Sequence, residues 1–220
     1  MLPELTLPEV KASATHFART LHTIPIPELY GATDGKAVGT FVEQMFRQYL
    51  AERYTFIPGN AANGIDLPDL EVDLKATSYR QPQSSCPFRD ASQKVYGLGY
   101  HLLIFVYDKK DDTTERAARL NIQNVIFVEK EKTGDWQSTK GIIDILNRSG
   151  NKDDLVAFLE ERNFPLDEIG RVKLAERILQ HPPMIGYLTI SNALQWRLQY
   201  GRAINAAIQG NVEGVENLYV

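Results

Sequence analysis

Asp66, Asp73 and Lys75 are residues of this chain whose types and spacing could do chemistry together. They fall within the segment Gly64-Ile-Asp-Leu-Pro-Asp-Leu-Glu-Val-Asp-Leu-Lys75. Two carboxylates aimed at one point can hold a hard divalent cation through oxygen, and such a cation activates water and relieves charge on a phosphate. A lysine beside them can contact that phosphate or position the attacking water. The reaction this set suits is hydrolysis of a phosphodiester.

A strand supplies the geometry. Leu70, Val72 and Leu74 alternate with Glu71, Asp73 and Lys75, which is the period of a strand with one charged face. Asp73 and Lys75 then project the same way. Asp66 is expected on a short preceding strand, residues 64–67, across a turn at Pro68-Asp69, where it can meet Asp73 as a cross-strand neighbour. Asp69 is passed over as the first acid because it falls in the turn itself. Glu71 shares the face of Asp73 but lies farther from Lys75, and is read as a neighbour of the site. An acid-x-Lys alone is more often a solvated sheet face; Asp66 and the enclosing apolar residues set this one apart.

One acid, a variable gap and then acid-x-Lys resembles the PD-(D/E)xK nuclease motif. The spacing from Asp66 to Lys75 is similar to the short-gap form in the MutH-like branch, with Asp73 where that branch usually has glutamate. Lys36-Ala-Val-Gly39-Thr-Phe-Val-Glu43 resembles the same branch's preceding helix, which carries a glutamate in such a context. The resemblance spans about residues 36–108. It implies a restriction-endonuclease-like α/β core, with Mg²⁺ held by Asp66, Asp73, Glu43 and the Leu74 carbonyl. Asp66, Asp73, Lys75 and Glu43 are the implied catalytic set. A further lysine of that branch has candidates in Lys109 and Lys110, neither of which aligns by motif.

The activity so implied is that of a Mg²⁺-dependent type II restriction endonuclease cutting double-stranded DNA at a short specific sequence. A cognate DNA methyltransferase is then the expected functional partner, and the bacterial-type cytoplasm the expected location. The alternatives are a repair nickase or junction resolvase of the same superfamily, or a non-catalytic DNA-binding protein. Monomer and homodimer both stay open, as does the recognition sequence.

Just after Lys75 comes Thr77-Ser-Tyr-Arg-Gln-Pro-Gln-Ser-Ser-Cys-Pro-Phe88, a polar stretch rich in hydrogen-bonding side chains. Arginine and glutamine read base edges in the major groove. Ser78, Arg80, Gln81, Gln83, Ser84 and Ser85, together with Lys36, are therefore expected to contact DNA; the plainer reading is a loop fixed by two prolines. Trp196, Arg197, Tyr200 and Arg202 are read as packing residues of a last helix, with DNA contact the alternative.

The elements that must position these groups follow from periodicity. Residues 7–21 read as a helix stopped by Pro25 and Pro27. Asp34 can cap a helix over 35–54, whose Val38, Phe41, Val42, Met45, Phe46, Tyr49 and Leu50 form one apolar stripe. Gly39 on that helix would permit a close approach. Strands are expected at 64–67, 70–77, 101–107 and 124–129, and helices at 88–98, 135–146, 152–162, 167–179 and 189–207. The sum is an α/β fold with a central mixed sheet flanked by helices and a helical C-terminal part. One nuclease domain over 1–220 is expected, with its catalytic core at about 34–130 and the helical part at about 135–220.

Composition bounds the alternatives. Hydrophobic residues are 43% and charged residues 24% of 220, ordinary for a globular chain. A lone cysteine, Cys86, excludes an internal disulfide, and the four histidines lack metal-ligand spacing, which speaks against zinc. No Gly-rich phosphate loop is present, which speaks against ATP dependence. The first twenty residues have neither the basic start nor the apolar core of a secretory signal, and the longest apolar run, 102–107, is too short for a membrane helix. The net charge of −4 gives little general attraction to nucleic acid, but Arg80, Arg89 and Lys94 face only Asp90 between residues 79 and 107.

Overall fold

The hydrophobic run that begins at His101 forms the centre of the molecule. In the computed structural model, which describes residues 2–59, 64–86, 89–191 and 196–219, it becomes a long strand, His101–Asp112 (β3). Its side chains alternate between two apolar layers. Leu103, Phe105 and Tyr107 join one cluster, and Leu102, Ile104 and Val106 join the other. A strand buried on both faces reads as a continuous apolar run rather than an alternating one.

Beside β3 lies Val72–Ser78 (β1), parallel and in register from Val72↔His101 to Ser78↔Tyr107. On its other side Ala117–Val128 (β4) runs antiparallel with a bulge at Val106/Tyr107, and Val215–Asn217 (β7) closes the order β1-β3-β4-β7. The sheet is mixed, and β1 is at its edge.

Helices Leu7–Thr23 (α1) and Gly35–Ala51 (α2) cover one face. Phe17 and Phe46 meet Phe105 edge-on, at centroid distances of 5.5 and 5.1 Å. The expected cap of α2 is present, since Asp34 accepts from the Lys36 amide at 3.0 Å. The other face is covered by a second, antiparallel sheet. Its strands are Gln83–Cys86 (β2), Trp196–Gln199 (β6) and Thr189–Ile190 (β5), in the order β2-β6-β5. Gly201–Gln209 (α7) packs with it. A third cluster joins Gln93–Tyr96 (α3) to the helices Trp136–Asn147 (α4), Lys152–Glu161 (α5) and Glu168–Gln180 (α6).

Three expectations are corrected. The strand at 64–67 is not formed: Leu67 makes one isolated bridge with Val72, through bonds of 2.9 and 3.1 Å, and Pro68–Leu70 is a 3₁₀ turn. Proline at the first turn position fixes φ and donates no hydrogen, so the chain doubles back there. Glu71 follows at φ 52°, and the strand starts at Val72 rather than Leu70. The helix at 88–98 shrinks to the single turn of α3; Phe88 lies outside the described residues. It stops at Gly97 (φ 87°), where a Cβ would come within 2.4 Å of the Lys130 carbonyl.

The third correction is the helix at 189–207, which is two short strands followed by α7. Trp196, Leu198 and Tyr200 are buried while Arg197 and Gln199 are exposed, which is period 2. The C-terminal part is thus not purely helical, because β5, β6 and β7 lie within it.

Candidate active site

As an edge strand, β1 leaves backbone groups on one side without a strand partner. Acidic side chains take up two of its donors. Asp66 Oδ2 accepts from the Leu74 amide at 2.9 Å, and Glu43 Oε1 accepts from the Ala76 amide at 3.3 Å. The tight turn at Pro68 brings Asp66 back along β1, and the packing of α2 on β1 brings Glu43 over it. Gly39 makes that packing close: a Cβ there would sit 3.2 Å from the Ala76 carbonyl and 3.9 Å from Glu43 Oε1.

Asp73 and Lys75 project from one face, as their spacing demands. Lys75 Nζ lies 2.7 Å from Asp73 Oδ2 and donates to the Leu74 carbonyl at 3.0 Å. The Asp66 carboxylate lies close enough to Asp73 to disfavour the charge there. Its other oxygen, Oδ1, accepts from Arg47 Nη1 at 2.9 Å. Arg47 is one turn beyond Glu43 on α2. Sequence reasoning did not single it out, although Glu43 and Arg47 at i, i+4 share a helix face and offered a signal.

Burial sets the electrostatics. Asp73 is 4% exposed, and loss of solvation pushes its carboxyl up to about 7, opposed by Lys75 and assisted by Asp66. Glu43 is likewise pushed up to about 7, by burial first and by the neighbouring Asp66 and Asp73, with Lys75 opposing. Burial disfavours the charge on Lys75, but the neighbouring carboxyl groups, Asp73 first and Glu43 after it, outweigh it and hold the ammonium protonated. Two acids kept near neutrality beside a third form a site that gains from added positive charge.

That is the setting in which a divalent cation fits. Asp66, Asp73 and the Leu74 carbonyl form an all-oxygen donor set, as hard cations require. Among the described residues no three of His, Cys, Asp and Glu converge as a ready-made metal cage. Arg47 and Lys75 supply the positive charge beside the two aspartates instead.

The residues expected to touch DNA are distributed more widely. Lys36 is exposed at the start of α2. Ser78 ends β1, and its hydroxyl accepts from the Arg80 amide at 3.3 Å. Arg80 is exposed, near the Tyr79 ring and 3.8 Å from Asp108; Gln81 is exposed in the same turn. Gln83, Ser84 and Ser85 are not loop residues: they form β2. Thr77 starts that strand by accepting from the Gln83 amide at 2.9 Å and donating to its carbonyl at 3.2 Å.

Ser84 points inward to hydrogen-bond the hydroxyl of Tyr200, a wholly buried residue. Tyr200 therefore ties its buried side chain to β2, a position hidden by the reading of 189–207 as a helix. Lys109 and Lys110 lie on β3; Lys109 pairs with Asp111, and Lys110 is 3.9 Å from Asp108.

No solved structure matches this chain. A curated relative, type II restriction enzyme NspV of Nostoc sp. (strain ATCC 29411 / PCC 7524), is 57% identical over 215 residues, covering 98% of this chain and 97% of that one. The family profile described as type II restriction enzyme NspV matches residues 4–217. On identity of that extent along nearly the whole length, the chain belongs to the NspV family of type II restriction enzymes.

Proposed function

We propose that this member of the family cleaves both strands of a short specific DNA sequence at a Mg²⁺ site on the open edge of β1. Type II restriction enzymes are site-specific deoxyribonucleases that generally use a divalent metal; the assignment of Mg²⁺ and of the residues is our reading. The observation that carries it is the set of contacts at one stretch of β1: Asp66 and Lys75 bond the Leu74 backbone, Glu43 bonds the Ala76 amide, and Lys75 pairs with Asp73. Asp66, Asp73 and the Leu74 carbonyl would hold the cation, with Glu43 completing the site. When bound, the cation would supply a nucleophilic water and charge relief at the phosphate.

The chain's own groups do the rest. Lys75, held protonated, contacts the scissile phosphate or orients the attacking water. Arg47 fixes the Asp66 carboxylate in its orientation. Double-stranded DNA is the substrate, and Lys36, Ser78, Arg80 and Gln81 meet its backbone or base edges beside the cut. The chain works as one nuclease unit over 1–220, as a monomer or a homodimer, in the cytoplasm alongside a methyltransferase that protects host DNA. No helix among the described residues is long and apolar enough to cross a membrane.

The test is incubation of plasmid DNA with the protein and Mg²⁺, followed by sequencing of the ends. Discrete fragments sharing one terminal sequence are expected, together with loss of cutting in excess chelator and DNA binding without efficient cutting in Ca²⁺. Full cutting in excess chelator would overturn the metal assignment.

A further inference from the structure

We propose that the outer face of the β2–β6 ribbon reads the bases, with Arg197 and Gln199 as specificity-determining residues alongside Gln83 and Ser85. This rests on the reading of β1 as the catalytic strand. In the antiparallel register Gln83 faces Gln199 and Ser85 faces Arg197, while Ser84 faces Leu198 and Cys86 faces Trp196. Opposed residues share a face and successive pairs alternate. Leu198, Cys86 and Trp196 are buried in the core shared with β3. The other face therefore carries Gln83, Ser85, Arg197 and Gln199, and Ser85, Arg197 and Gln199 are exposed. Thr189 of β5, paired with Gln199, extends the same row.

Every member of this row is a hydrogen-bonding side chain, and its one charge is positive. An ordinary solvent-facing sheet mixes acids with bases; this row has no acid. A two-stranded ribbon fits the major groove, where arginine pairs bidentately with guanine and glutamine with adenine. The placement points to DNA as the occupant. The ribbon is tied to β1 two residues beyond Lys75, where Thr77 holds Gln83, the first residue of β2, by two hydrogen bonds, and its inner side bonds Tyr200 through Ser84. Duplex DNA with a phosphate at the open edge of β1 must pass beside this ribbon. The row is then continuous with the cutting site.

The ribbon's chemistry gives the class of sequence read. Arg197 should contact a guanine, and Gln83 or Gln199 an adenine, so the site should contain both kinds of base pair. The charge-neutral readers, Gln83, Ser85 and Gln199, add discrimination without adding general affinity for phosphate.

The experiment first fixes the recognition sequence of the wild-type enzyme from the ends of cut plasmid. It then measures kcat/KM on the cognate duplex and on duplexes with each base pair changed singly, for wild type, Arg197→Ala, Arg197→Lys and Gln199→Ala. Arg197→Ala should lose roughly 5- to 150-fold on the cognate site, and discrimination at one G·C position should fall by a similar factor with the other positions unaffected. Arg197→Lys keeps the charge but not the fork, so it should show the same local loss while retaining the wild-type salt dependence of binding. Gln199→Ala should relax an A·T position in the same way.

Wild-type discrimination in all three variants would overturn the proposal. So would a uniform loss across all duplexes that Arg197→Lys restores, which is the signature of a phosphate contact. These outcomes differ from failure of the catalytic reading, which would appear as unchanged cutting by Lys75→Ala.

Discussion

Lys75 carries the sharpest consequence at the scale of single residues. It is one of many cations that can meet phosphate, so its loss should cost little affinity. It is also ion-paired with Asp73 at 2.7 Å beside the proposed scissile phosphate, so its loss should be felt in the transition state. Lys75→Ala should therefore lower the cleavage rate by about 100-fold or more while gel-shift affinity in Ca²⁺ stays within about tenfold. Removing one partner of a buried pair destabilises a fold when the other charge is stranded. Asp73 escapes that penalty because its carboxyl, already pushed up to about 7, can take a proton. A melting curve alongside the assay checks that the variant is folded. Cleavage at the wild-type rate would make the motif a bystander. The pairing of Asp73 with Lys75 was legible in the sequence because a strand places i and i+2 on one side whatever surrounds it. Arg47 was not, because its part depends on where α2 crosses β1, a long-range fact that helical spacing does not specify.

The crossing of α2 over β1 is the element-scale feature on which the site depends, and Gly39 sets its distance. Alanine in place of a helical glycine favours the helix by roughly 1 kcal/mol. Here the new methyl would meet the Ala76 carbonyl at 3.2 Å, so β1 or α2 must yield by a few tenths of an ångström. The two effects are similar in size, so Gly39→Ala should change stability by less than about 1 kcal/mol. Catalysis responds more steeply to position, since about 1 Å of misplacement can cost 100-fold; cleavage should therefore fall about tenfold with melting nearly unchanged. Wild-type kcat with wild-type melting would show that the spacing is not critical. Long uniform periods made α2, β3 and the helices α4 to α6 readable. The segment at 189–207 was not, because a strand of four residues, Trp196–Gln199, runs straight into α7, where Ala203, Ala206 and Ala207 repeat at helical spacing. The helical period of the second piece masked the strand period of the first. The short β2 was hidden for a related reason: half its side chains are serine, and its pairing with β6 lies more than a hundred residues away in sequence.

The whole molecule places the site at a seam. The central sheet is buried by helices on one face and by a second sheet on the other, and side chains from both layers meet around the edge strand β1. Glu43 and Arg47 come from the helical layer, while Tyr200 and Ser84 come from the sheet layer. A cation bound between Asp66 and Asp73 would therefore be held only while the turn at Pro68, α2 and β1 are all docked. Binding to the folded state alone stabilises it by mass action, about 2.7 kcal/mol at a hundred times the dissociation constant. For a chain of this size about 1 kcal/mol corresponds to roughly 2–4 °C in melting temperature, so saturating Ca²⁺ or Mg²⁺ without DNA should raise it by about 5–10 °C. Asp73→Asn removes one oxygen ligand's charge and should abolish most of the rise. The Arg197→Ala variant, altered only on the outer ribbon, should keep it in full. If the wild-type protein cuts DNA yet shows no cation-dependent rise even at tens of millimolar, the cation enters only with the DNA phosphate. The donor set on β1 would then be incomplete in the free protein.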